Sequence, residues 1–153
     1  MIRREESDMS IYERVVRAAA DAIVVAKADG TIELWNPGAE RLFGFTEAEA
    51  LGKSLDLIIP EKYREPHWAG YREVMRTGQT QYGEEVLRVP ALRKDGSRLS
   101  IAFTVGLLKG RDGQVESIFA FVRDDTEPFN TQKMLRTRVK ELEQALEKAK
   151  GEG

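Results

Sequence analysis

Apolar and polar positions repeat with two different periods along this chain, and the change of period divides it. Near the N-terminus Ile11, Tyr12, Val15, Ala18 and Ala19 keep to one helical face behind Ser10 and Glu13, which are spaced as a capping box. The pattern predicts a helix to about Ala20, with residues 1–9 frayed ahead of it. AIVVAK (22–27) and TIELWN (31–36) flank Asp29-Gly30, which predicts an antiparallel hairpin closed by a tight primed turn, glycine supplying the positive φ. Asn36-Pro37 reads as a helix entry, with a side-chain oxygen to cap and a proline in the first turn. It opens PGAERLF, which Gly44 ends. Thr46 and Glu49 form a second capping box for TEAEAL, which ends at Gly52, so short helical pieces run from Pro37 to about Ile59.

The stretch PEKYREPHWAGYREVMRTG (60–78) returns to a long helical period. Tyr63, His67, Gly70, Tyr71, Val74 and Met75 form its apolar stripe, Pro60 suits the first turn, and Gly78 suits the left-handed position past the end. Pro66 predicts a break, a kink or a start delayed to about Glu65. From Thr80 the period becomes two. GEEVLRVPAL, SRLSIAFTVGLL and QVESIFAFV read as three strands separated by Lys94-Asp95-Gly96 and Arg111-Asp112-Gly113 turns. Leu99, Ile101, Phe103, Val105 and Leu107 share a face that the alternation predicts to be buried, and Pro90 puts its strand at an edge or on a bulge. After Thr126, with Pro128 in the first turn, Leu135, Val139, Leu142, Leu146 and Ala149 step as a heptad seam, with charged flanks such as Arg138 and Glu141. A helix this short is marginal alone in water, and a second copy is its simplest partner.

Two strands, short helices, one longer helix and a three-strand meander make an α+β class with an antiparallel sheet and the helices gathered on one face. The 153 residues suit one domain with extensions, divided as a tail and flanking helix (1–20), a domain (21–126) and an amphipathic helix (127–153). A net charge of -2 within 33% charged residues gives no electrostatic reason to expect nucleic acid or an acidic membrane surface. The absence of cysteine excludes disulfides, thiolate zinc sites, a thiol nucleophile and a thiol-linked chromophore. No apolar run approaches a membrane span, and MIRREESDMS lacks the core of a signal peptide, so a cytoplasmic location is expected. No nucleophile–base pair, metal cluster or phosphate-cradling glycine loop is present, which argues against an enzyme. His67 is the only histidine; read alone, it is either a satisfied boundary residue or a ligand.

DGTIELWNPGAERLFGFTEAEALGKSL (29–55), RKDGSR (93–98) and VRDDTE (122–127) resemble the PAS sensory domain over roughly Ala20 to Glu127. The resemblance implies a five-stranded sheet cupping a cavity against the helices, with terminal helices that form a homodimer and pass a signal on to a downstream protein. No kinase, cyclase or DNA-binding segment accompanies the match. Without cysteine, neither the flavin photosensor chemistry of the family nor a thiol-anchored chromophore is open to this chain, while redox flavin is. Anchored at the RKDG turn, His67 aligns with the proximal histidine of the haem-binding PAS domains of oxygen-sensing kinases, which implies haem b with His67 as the metal ligand. Trp68, Tyr71 and Met75 read first as core packing. In the haem reading Tyr71 and Met75 border the cofactor, and Tyr82, Leu87, Phe103 and Val105 line its distal side. The chain departs from that subgroup at three places. Leu87 stands at the distal arginine, with Arg88 one residue away; Glu73 stands at a propionate-binding arginine, between Arg72 and Arg76; and Asp125 stands at the usually apolar middle of the closing D-x-T motif. An apolar distal side implies a preference for carbon monoxide or nitric oxide, or an internal sixth ligand. The alternatives are another small apolar or aromatic ligand, or a cofactor-free dimerisation module.

Overall fold

The computed structural model describes residues 9–80 and 83–151. The elements follow the order α1 (Ile11–Ala18), β1 (Ala22–Lys27), β2 (Ile32–Trp35), α2 (Pro37–Phe43), α3 (Glu47–Ala50), a 3-10 turn (Leu55–Ile58), α4 (Glu61–Thr77), β3 (Leu87–Leu92), β4 (Arg98–Lys109), β5 (Val115–Asp124) and α5 (Thr126–Gly151). The five strands form one antiparallel sheet in the order β2-β1-β5-β4-β3, so the N-terminal hairpin docks against the last strand of the meander. The α+β class and antiparallel sheet expected from the pattern, and the five strands and flanking helices that the resemblance implies, are all present.

Asn36 ties the first half of the chain together from a buried position. Its Oδ1 accepts from the backbone N–H groups of Ile23 at 2.8 Å and Ala39 at 2.9 Å, and its Nδ2 donates to the carbonyls of Val16 at 2.9 Å and Asp21 at 3.1 Å. One side chain thus caps α2, closes the entry of β1 and holds the end of α1. Trp35, next to it, is 1% exposed; its ring lies 5.4 Å from that of Phe43 and its Nε1 donates to the Phe45 carbonyl at 2.9 Å. Around this pair the main core gathers Ala22, Val24, Ile32, Ala39, Ala50, Ala91, Leu99, Ile101 and Val122.

Several local expectations are corrected. Gly30 has a φ of 87°, but no non-glycine residue among those described has a positive φ, so the β1–β2 turn is not primed. It is a longer loop, with Gly30 N–H on the Lys27 carbonyl and Lys27 N–H on the Thr31 carbonyl, and the register shifts between Val25 and Ala26. Pro66 neither breaks nor delays α4, which starts at Glu61 with Pro60 as its cap residue. Pro66 and Lys62 are both exposed, so the carbonyl that loses its partner one turn back faces water. α1 stops at Ala18, short of Ala20, and β3 begins at Leu87, four residues after Gly83, where the strand pattern starts. The expectation that residues 1–9 are frayed falls, for residues 1–8, outside the described residues. β3 is the edge strand that Pro90 requires.

α5 runs for 26 residues with none of them buried. Leu135, Val139, Leu142 and Leu146, the seam, are between 52% and 60% exposed, so among the described residues of one chain nothing covers it.

Asn36→Ala is expected to destabilise the fold by about 2–4 kcal/mol, because a helix cap is lost and buried backbone groups are left unpaired. Asn36→Asp keeps the cap but sets a carboxylate against two carbonyls, and should be at least as damaging. Urea midpoints with an unchanged slope check both, and a loss under about 1 kcal/mol would contradict the role given to this side chain.

Candidate functional site

The face of the sheet that carries the core is unevenly covered. Alternation along β4 places Leu99, Ile101, Phe103, Val105 and Leu107 on that face, as expected. Leu99 and Ile101, under α2 and α3, are 3% and 6% exposed, but Phe103, Val105 and Leu107 are only partly buried, as is Ile118 on β5. The expectation that the whole row is buried is therefore corrected. The helix that lies over this half, α4, contributes no side chain to the main core, and Val105, Leu107 and Ile118 do not join it either. Partly buried apolar side chains in the middle of a sheet, next to a helix that does not join the main core cluster, are where a small apolar ligand would be sought.

α4 is instead fastened along its flank. The Trp68 ring lies on Gly30 so closely that a Cβ there would collide with it, and its Nε1 donates to Asp56 Oδ1 at 2.7 Å. One turn on, the Tyr71 hydroxyl donates to the Lys27 carbonyl at 2.5 Å. Arg64 reaches back from its Nε to the Ile59 carbonyl at 3.0 Å. At the two ends of the helix the Tyr63 ring is 6.0 Å from the Arg98 guanidinium, and Gly78, φ 69°, lies beside the Lys109 side chain. α4 thus spans from one end of β4 to the other while its anchors sit on the β1–β2 hairpin and the 3-10 turn.

His67 lies inside this clamp. Its ring meets Trp68 edge-on at 4.6 Å and 78°, and Tyr71 at 5.7 Å and 41°. Its Nδ1 is buried and has no hydrogen-bond partner among the described residues. Burial lowers the His67 pKa below its ordinary 6.5, and the nearby Asp56 carboxylate opposes the shift without reversing it. Tyr71 is pushed up to about 12, mainly by burial and then by the charges of Asp29 and Glu33, so it is a fixed hydrogen-bond donor at any physiological pH. A neutral imidazole on α4, beside a partly covered apolar sheet, fits an iron porphyrin chemically: Nε2 can go to the metal while the apolar side chains take the ring, and the orphaned Nδ1 is the other nitrogen.

Of the other sequence-derived residues, Met75 is partly buried on the same stripe of α4 as Tyr71, and Leu87 pairs directly with Phe103 across β3 and β4, two residues from Val105. Two groups result, His67 with Tyr71 and Leu87 with Phe103 and Val105; no ring contact among the described residues joins Phe103 to His67. Tyr82 lies outside the described residues. The register also separates Leu87 from Arg88: Leu87 faces the α4 side, and Arg88 turns to the opposite face, 3.2 Å from Asp125. Arg76 is engaged by Glu73, with contacts of 3.1 and 2.5 Å. Sequence reasoning missed the partners that orient His67. Trp68 was visible only as a core aromatic, and neither Asp56 nor Gly30 carries a signal that it meets α4, since those contacts depend on how the 3-10 turn folds back.

Comparison with known proteins places this geometry. The family model described as the PAS fold matches residues 10–124. The sensor protein FixL of Bradyrhizobium diazoefficiens is 32% identical over 129 residues, which cover 84% of this chain and 25% of that protein. The oxygen sensor protein DosP of Escherichia coli is 27% identical over 101 residues, covering 66% of this chain and 12% of that one. The chain thus spans only a quarter or less of these relatives. Among solved structures, an RNA-binding light-oxygen-voltage receptor superposes with a TM-score of 0.70 at 21% identity, over 85% of this chain and 36% of the other, a likeness of fold alone.

Because the chain has a single histidine, its ring resonances can be followed by NMR without assignment. The titration midpoint is expected below 6.5. The sign for stability follows: the unfolded ring binds its proton first, so the contribution is complete above pH 6.5 and is lost as pH falls through the folded pKa. A midpoint at or above 6.5 would mean that the ring is solvated or ion-paired, and would contradict its burial.

Proposed function

The chain belongs to the PAS family, and from that premise we propose that it is a sensory module that binds haem b through His67 and responds to a diatomic gas or to redox state. The observation that carries this reading is His67 itself: a neutral ring on α4 whose buried Nδ1 has no partner among the described residues, on the helix that runs the length of β4, where Phe103, Val105 and Leu107 are only partly buried. In this reading His67 ligates the metal, Tyr71 and Met75 border the porphyrin on the same helix, and Leu87, Phe103, Val105 and, by sequence position, Tyr82 form the distal side. Bound haem supplies a site for a diatomic ligand. The protein's part is to hold the ring, exclude water and register a change beside Leu87 and Phe103. DosP, an oxygen sensor by name, supports the gas reading. With Leu87 on the site face and Arg88 on the other, this strand offers the distal side no arginine to donate to bound oxygen, which favours carbon monoxide or nitric oxide over oxygen.

The proposed output is α5. Its exposed seam from Leu135 to Leu146 is complementary to a second copy, and a parallel pair would join two sensory domains at the point where β5 ends. No helix among the described residues is long and apolar enough to cross a membrane, and a cytoplasmic sensor is the form proposed.

The test is the visible spectrum of protein expressed with excess haem precursor, taken before and after reduction. A sharp Soret band is expected, lost in His67→Ala while the far-UV circular dichroism stays unchanged. The same preparation is expected to be a dimer by light scattering, and Leu142→Glu with Leu146→Glu should make it monomeric. Protein that remains colourless with added haemin would overturn the haem reading and leave a PAS domain for another apolar or aromatic ligand, while dimers that survive the double substitution would move the interface away from α5.

A further inference from the structure

The junction from β5 to α5 contains a buried charge that the fold does not require. Asp125 is 7% exposed, at the place where the family resemblance implies an apolar residue. Its carboxylate has one ionic partner among the described residues, the Arg88 guanidinium, with Nε 3.2 Å from Oδ2. The two are not neighbours in the sheet. Arg88 belongs to the edge strand β3 and Asp125 follows β5, so the arginine reaches across β4, where Ser100 and Ala102 on that face are small enough to let it pass. The Arg88 side chain is 57% exposed, so only the carboxylate end of the pair is buried; removing the arginine leaves that carboxylate without its cation, which costs more than the pair itself contributes.

Both residues sit at points where motion would matter. The residue before Arg88 is Leu87, on the opposite face, against Phe103 in the half-covered area under α4. The residue after Asp125 is Thr126, the first of α5. The Asp125 carbonyl accepts from Phe129 N–H at 2.9 Å, closing the first turn, and its own N–H donates to the Ser100 carbonyl at 2.7 Å. Thr126 is held as well, its N–H on Asp124 Oδ1 at 2.9 Å and its Oγ1 accepting from Ser100 N–H at 3.0 Å. Asp124 is itself paired with Arg93 at 3.2 Å. The root of α5 is therefore gripped by Arg93 through Asp124 and by Arg88 through Asp125, and only the second grip comes from a residue adjacent to the candidate site.

We propose that the Arg88–Asp125 pair is a latch that makes the first turn of α5 respond to the position of the edge strand β3. Displacement of Leu87 moves Arg88, and the buried carboxylate follows because no other cation among the described residues pairs with it. The ligand reading supplies the natural cause of such a displacement, but the latch itself is a property of the protein without ligand and is tested in that state, so colourless protein would not count against it.

The experiment is amide hydrogen exchange on the full chain, read at Thr126 and Phe129, with Val24 and Val122 in the central strands as controls. Arg88→Met is expected to speed exchange at the α5 root by about tenfold or more, as an unpaired buried charge demands, with the controls unchanged. Arg88→Lys should recover part of the protection. Arg88→Met combined with Asp125→Asn removes the stranded charge and should return exchange to within about threefold of the parent. The coupling is read by adding Leu87→Ala: it should alter exchange at the α5 root in the parent and leave it unaltered in the background that carries both substitutions. If Arg88→Met does not fold, the comparison of Leu87→Ala between the parent and the double variant still decides. An equal effect of Leu87→Ala in both backgrounds, or none in the parent, overturns the latch.

Discussion

The sheet of this protein presents more apolar surface on one face than its short helices can cover, and the rest of the architecture follows from that mismatch. α2 and α3 amount to about three turns of helix between them, and they bury Trp35, Phe43, Leu99 and Ile101 over one half of the sheet. The other half, with Phe103, Val105, Leu107 and Ile118, is less well covered, and α4, whose one buried residue is Tyr71, supplies no side chain to the main core cluster. Apolar surface that water continues to wet forgoes about 25 cal/mol for each Å², so the partial exposure of these side chains is stability that closer cover would recover.

What keeps α4 from closing is that its fastenings are lateral. Trp68 against Gly30, Trp68 to Asp56 and Tyr71 to the Lys27 carbonyl hold the helix by the hairpin and the 3-10 turn. The Trp68 contact works only because position 30 has no side chain, and the hairpin needs the same glycine for its positive φ. One residue thus serves the turn of the sheet and the seat of the helix. Between these anchors the His67 ring is packed by two aromatic neighbours, and its buried Nδ1 has no hydrogen-bond partner among the described residues.

Features governed by neighbours in sequence were legible before the structure. Asn36 as a cap, Gly44 and Gly78 as left-handed ends, the Thr46–Glu49 capping box and the strand periods are all local chemistry, and they stand where the pattern put them. The edge position of β3 was legible because Pro90 cannot donate to a ladder. The primed turn failed because Asp29-Gly30 suits both a two-residue turn and a longer loop ending in a left-handed glycine, and only the register of the paired strands decides between them. The half-covered face failed for a different reason: alternation says which side chains share a face and nothing about whether another element reaches them. The Arg88–Asp125 pair was out of reach in the same way, since it spans three strands.

The central claim is that the His67 ring is the protein's ligand to an iron porphyrin held under α4. The most direct measurement is the NMR spectrum of that single histidine with haem added and held in the diamagnetic ferrous carbon monoxide state. If the claim is right, the His67 ring protons move far upfield in the porphyrin ring current and no longer titrate across the usual histidine range, because the ligating nitrogen is occupied. Resonances that stay in place and keep titrating while haem is demonstrably bound would show that the porphyrin sits elsewhere, and that His67 serves only to pack α4.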